Sequence, residues 1–163
     1  VPLGFDFPFN GATYSSVFVN SNGNLTFGAG DTDFSESVSE FLNGQPRIAP
    51  LWDDLAPNQG GLVLVDQGSG EFTVTFDDVP EFFASTGNTF IVTLRSDGSF
   101  TIEYGAIAAA DGIVGTTEGG GAADPGPTDL SAAAGLSASG TTYEQFSFGS
   151  PNDLSDAVLE LTP

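Results

Sequence analysis

Short runs of alternating apolar and polar residues, punctuated by glycine and proline, fill most of the chain. Such runs are the signature of strands joined by turns. Residues 3–9 put Leu3, Phe5, Phe7 and Phe9 on one face of a strand. Pro8 between them predicts an edge strand or a strand end. Residues 14–20 and 25–28 flank Ser21-Asn22-Gly23-Asn24, and Asn-Gly between two such runs is a strong hairpin signal. Residues 62–66 and 71–76 read as a second hairpin, with Phe72, Val74 and Phe76 inward and Thr73 and Thr75 outward. The clearest pair is 88–95 with 99–104. Phe90, Val92 and Leu94 alternate on one strand and Phe100, Ile102 and Tyr104 on the other, across the turn Ser96-Asp97-Gly98. Shorter strands are expected at 113–117, 141–148 and 157–161.

Two stretches break the alternation. Residues 35–42 predict one or two helical turns with Val38, Phe41 and Leu42 inward. Residues 118–140, rich in Gly, Ala, Ser and Pro, predict a long loop holding at most one helical turn. The sum is about nine or ten short strands and little helix, which argues for an all-β fold, an antiparallel sandwich or flattened barrel. At 163 residues, with no break in composition, the chain is expected to be one domain, 1–163.

Composition changes the functional picture more than the structural one. Lysine, histidine, cysteine and methionine are absent, and Arg47 and Arg95 are the only strong bases. The commonest general base and the major thiol and amine nucleophiles are therefore missing. Serine hydrolase triads, their lysine variants and thiolate metal sites are excluded. A carboxylate pair among Asp53, Asp54, Asp77, Asp78 and Glu103 is the one enzymatic route left. Neighbours such as Asp53 and Asp54 point to opposite faces of a strand, however, and make poor pairs. The expectation is a protein that is not an enzyme.

The net charge of −20 reflects missing bases more than excess acid. Such a surface repels nucleic acid and anionic membranes, and no apolar run is long enough to insert into a bilayer. The chain starts at Val1, so removal of a leader, and an extracellular location, are expected.

Hard oxygen donors make calcium the best-suited cofactor. Residues 31–33, 53–58 and 124–129 supply acidic loops, and Asp31, Asp33, Asp53 and Asp54 are the candidate ligands. The competing reading is that these aspartates cap turns. Trp52 either packs between layers or stacks on a ligand ring, and Leu51 and Leu55 beside it favour packing. Arg47 is expected to pair with Asp53 or Asp54. Tyr14, Tyr104 and Tyr143 are expected at sheet ends with their hydroxyls in water. Asn24-Leu25-Thr26 is a formal N-glycosylation acceptor beside a hairpin tip.

Several of these blocks also occur together in a known pattern. Leu3-Gly4-Phe5-Asp6-Phe7-Pro8-Phe9, Val17-Phe18-Val19-Asn20-Ser21-Asn22-Gly23 and Ile48-Ala49-Pro50-Leu51-Trp52-Asp53-Asp54-Leu55 succeed one another in that order. Further on come Phe72-Thr73-Val74-Thr75-Phe76, Thr101-Ile102-Glu103-Tyr104 and Gly112-Ile113-Val114-Gly115. This succession resembles the nidogen-like (NIDO) domain over most of residues 3–117. The resemblance implies an extracellular β-rich module of matrix and adhesive proteins with no catalytic residues to carry over. Lacking cysteine and nearly all bases, the chain departs from animal versions and fits a microbial exported protein better.

The expected function is a structural or adhesive module of a microbial cell surface or matrix. Its partners would be surface components, or copies of itself if Leu3, Phe5, Phe7 and Phe9 are donated to a neighbour's sheet to build a filament. The alternative is a calcium-assisted, lectin-like glycan binder with Trp52 or Tyr143 stacking on sugar.

Overall fold

The computed structural model describes residues 1–163 as strands and turns around one short helix. An N-terminal hairpin pairs β1 (Pro2–Phe9) with β2 (Ala12–Ser16). A five-stranded sheet contains β3 (Phe18–Asn20), β4 (Asn24–Thr26), β5 (Arg47–Trp52), β10 (Gly112–Thr117) and β12 (Thr142–Phe146), in the order β12-β10-β5-β4-β3. A six-stranded sheet contains β6 (Leu62–Gln67), β7 (Glu71–Pro80), β8 (Gly87–Arg95), β9 (Phe100–Tyr104), β11 (Leu136–Ser137) and β13 (Val158–Thr162), in the order β11-β13-β9-β8-β7-β6. The expected β-sandwich is what forms, and no sheet closes into a barrel.

The alternation explains the core. Phe72, Val74 and Phe76 of β7, Phe90, Val92 and Leu94 of β8, and Phe100 and Ile102 of β9 all face inward. They join Leu25, Ile48, Leu51 and Val114 of the opposite sheet in a cluster of 27 buried residues. Leu3, Phe7 and Phe9 belong to the same cluster, and Phe5 is half-buried against it. Phe7, Phe9 and Tyr14 group around Phe27, with ring centroids 5.7, 4.9 and 4.8 Å from it. Strand β1 thus lies in a hairpin of its own chain, with Pro8 opposite Thr13.

β5 is buried along its whole length because both of its faces are covered. Ile48 and Leu51 face the main core, while Ala49 and Trp52 face a second cluster with Phe41, Leu42, Ile113 and Tyr143. The cover is α1 (Val38–Asn43), shorter than residues 35–42 suggested at its start and one residue longer at its end. Ser37 caps it by accepting from the Glu40 amide at 3.2 Å, and its hydroxyl donates to the Glu40 carboxylate.

Three expectations need correction. Residues 14–20 are not one strand: β2 belongs to the N-terminal hairpin and β3 to the five-stranded sheet. Val17, Phe18 and Val19 form one short apolar run after Ser15-Ser16 with no glycine or proline at the join, so turn signals do not reveal the change of sheet. Residues 118–140 hold the short parallel strand β11 and no helix. Tyr104 is buried, and its hydroxyl donates to the Pro50 carbonyl at 2.6 Å across the sandwich. The same burial pushes its pKa well up.

Candidate functional site

A corner of the sandwich collects acids from three separate segments. Asp53 comes directly after the last residue of β5, Glu81 directly after the last residue of β7, and Asp111 directly before the first residue of β10. Each placement has a local cause. Between Phe76 and Val79 the β7–β8 register shifts, with Asp78 at φ +54°. Such bulges bend a strand and re-aim the residues beyond them. Glu81 then bridges Leu55, while the Ala56 amide donates to the Pro80 carbonyl and the Phe82 amide to the Asp54 carbonyl, both at 2.8 Å. Asp111 is brought in by pairing of Ile113 with Trp52. Gly112 at φ +121° lets the chain pass that strand: a Cβ there would lie 3.0 Å from the Trp52 carbonyl.

Asp53, Glu81 and Asp111 each present a carboxylate oxygen within 4.8 Å of the other two. Asp53 is only 6% exposed. Its Oδ1 accepts from the Asp54 amide at 2.7 Å, whereas Oδ2 is buried without any hydrogen-bond partner. Burial first, then the close Glu81 carboxylate, pushes the Asp53 pKa up to about 9. Glu36 is raised as well, by burial and by the charges of Asp111, Asp54 and Glu81. Two aromatic rings border this corner: Phe34 and Phe82 line one apolar recess with Asp54. Phe83 is 86% exposed, and its ring centroid lies 4.0 Å from that of Phe82.

At the other end of β5 the buried charge has a partner within the chain, while the Arg47 Nε and Nη1 have no acceptor. Arg47 is buried and pairs with Asp31, not with Asp53 or Asp54 as the sequence suggested. The reason is tertiary: the loop carrying Asp31 and Asp33 is held against Trp52, on which Arg47 lies, while Asp53 joins Glu81 and Asp111. The guanidinium lies 3.7 Å above the Trp52 ring, a cation–π contact. The Trp52 indole donates to the Asp33 carbonyl at 3.2 Å. Asn20 and Asn22 hold the same loop: Asn20 Oδ1 accepts from the Asp31 amide at 3.0 Å, and Asn22 donates to the Asp33 carbonyl at 2.8 Å.

The other sequence candidates fall elsewhere. Asp31 and Asp33 cap turns, accepting from the Asp33 and Ser35 amides at 2.9 Å each. Asp33 is held below its ordinary pKa mainly by that Ser35 bond. Trp52 and Tyr143 do not offer a face to a ligand, since both are buried together beneath α1. Tyr143 packs on Phe41, and its hydroxyl donates to Asp124 at 2.8 Å instead of standing in water. Asn24 is fully buried, so the glycosylation triplet is closed in the folded chain. Asp53 and Asp54 do reach the acidic corner, where Glu81, Asp111 and the three phenylalanines join them. Phe82-Phe83, an apolar pair between two strands, is the one sequence signal for that rim.

The corner has oxygen donors for a hard cation and aromatic faces for a ligand. A family model described as NIDO related matches residues 1–149. No curated protein and no solved structure matches the chain. No helix is long and apolar enough to cross a membrane. The chain belongs to the nidogen-related family, a family of non-enzymatic and typically extracellular modules.

Proposed function

We propose that the protein is an adhesive module of a microbial surface or matrix, and that it grips a glycan at the aromatic rim of the acidic corner. The observation that carries this reading is the exposure of Phe34, Phe82 and Phe83 beside Asp54 and Glu81. Large apolar side chains grouped at the surface mark interaction sites. Phe83 is held outward at φ +63°, a backbone conformation unfavourable for a bulky residue. Such strain persists where the surrounding structure imposes it, commonly at binding sites. Aromatic faces next to carboxylates suit a sugar ring, whose C–H faces stack and whose hydroxyls donate.

Self-assembly through residues 1–9 has weaker support. Donation of β1 would first break its pairing with β2 and withdraw Leu3, Phe7 and Phe9 from the core.

A glycan array and a panel of matrix proteins test the reading with the wild type and a Phe82→Ser/Phe83→Ser double variant. Both residues are exposed, so the variant should keep its melting temperature. The expected result is glycan binding that falls at least about tenfold in the variant, the scale of losing one well-placed stacking contact. Glycan binding unchanged in the variant, or binding confined to proteins, overturns it.

A further inference from the structure

We infer that Asp53, Glu81 and Asp111 form a calcium site. The inference stands on the carboxylate geometry and holds whether or not the neighbouring aromatic rim binds a glycan. The first observation is convergence: three carboxylates from three strand ends place one oxygen each within 4.8 Å of the others. Calcium–oxygen distances run about 2.3–2.6 Å, so oxygens on opposite sides of one ion sit about 5 Å apart. The triad therefore fits around a single ion.

The second observation is independent of the clustering. Asp53 is 94% removed from solvent, and its Oδ2 has no donor. A buried carboxylate oxygen without a partner carries a full desolvation cost. Nothing positive in the chain relieves it. Arg47 is paired with Asp31, Arg95 lies 3.2 Å from Glu71, and the N-terminal ammonium donates to the Val17 carbonyl at 2.6 Å. With no lysine or histidine anywhere, a proton or a cation from solution must neutralise it.

The donor set selects the ion. Only oxygens are present, which disfavours zinc and copper. Magnesium usually takes one or two carboxylates and keeps most of its waters, whereas calcium accepts several carboxylates in irregular geometry.

The test is calorimetric titration of chelator-stripped protein with calcium chloride in about 150 mM sodium chloride, where diffuse counter-ion binding is screened. The expected result is one saturable site with a Kd of about 0.1–1 mM, the range of extracellular calcium modules. Magnesium should bind at least about tenfold more weakly, and calcium should raise the melting temperature. Asp53→Asn and Glu81→Gln should each abolish the saturable heat and the thermal shift. The surface control Asp66→Asn/Glu160→Gln should keep both. Should Asp53→Asn fail to fold, Glu81→Gln and Asp111→Asn decide. Absence of saturable binding up to about 10 mM, about ten times the weakest Kd expected, overturns the inference. Binding kept by the triad variants, or lost equally in the surface control, overturns it as well. Loss of calcium binding in Asp111→Asn alongside intact glycan binding separates this site from the aromatic rim.

Discussion

The two ends of β5 face the same physical problem and answer it differently. At its start, Arg47 is buried with its charge matched by Asp31 and its flat face covering Trp52. Just past its end, Asp53 is buried with Glu81, Glu36 and Asp111 around it and no cation of the chain in reach. Burying an ion costs several kcal/mol, and only a partner recovers it. The Arg47 end gains its counter-charge by folding alone, because the loop that carries Asp31 is fastened by Asn20 and Asn22. The Asp53 end is solved only with a proton or an ion from outside. One end is built for stability and the other is built to respond to its medium.

The largest way to break this contrast is Arg47→Ala. It strands Asp31, uncovers Trp52 and removes the positive member of a buried pair. A loss of about 3–5 kcal/mol in chemical denaturation is expected, and a loss under about 1 kcal/mol would place the pair in effective contact with solvent.

The second test concerns pH. Folded Asp53 holds its proton far more tightly than the unfolded chain does. Its contribution is therefore complete below the ordinary value of 3.8 and is lost as pH rises through about 9. Between those limits a single such group costs about 1.4 kcal/mol per pH unit, so cation-free protein should lose up to about 2.7 kcal/mol from pH 6 to pH 8. Glu36 shifts in the same direction, through burial and the same acidic neighbours Asp111, Asp54 and Glu81. Asp53→Asn should flatten most of the slope and leave the variant at least as stable as wild type at pH 8 without calcium. A wild-type slope that survives in Asp53→Asn would assign it to general repulsion among the surface acids.

The smallest effect sharpens the comparison from outside. Arg95 and Glu71 form the other ion pair, with side chains 35% and 58% exposed. Arg95→Ala should cost less than about 1 kcal/mol, and that cost should shrink in salt. A loss as large as that of Arg47→Ala would mean that burial does not set the difference between the two arginines.

Much of the sandwich is legible in the residues themselves, and the limits are instructive. Phe72, Val74 and Phe76, and their counterparts in β8 and β9, alternate as a half-buried strand must, so the inward face can be read directly. The succession of motifs between Leu3 and Gly115 points correctly to the nidogen-related family. Leu51 and Leu55 beside the lone Trp point correctly to the core. Misses arise where a contact joins distant segments. Nearness in sequence gives Arg47 to Asp53 and Asp54, and a loop brings Asp31 instead. Tyr143 reads as an aromatic platform, and α1 covers it.

Alternation and turn chemistry are local, so the chain itself determined that strands form, where most turns fall, and that any buried negative charge would be short of protein cations. Which strands share a sheet, and that Asp53, Glu81 and Asp111 converge, depends on register across pairs remote in sequence and on a bulge at residues 77–78. Those choices are made by packing two sheets around one core. The acidic corner is therefore a product of tertiary structure, assembled from residues that individually look like ordinary strand ends.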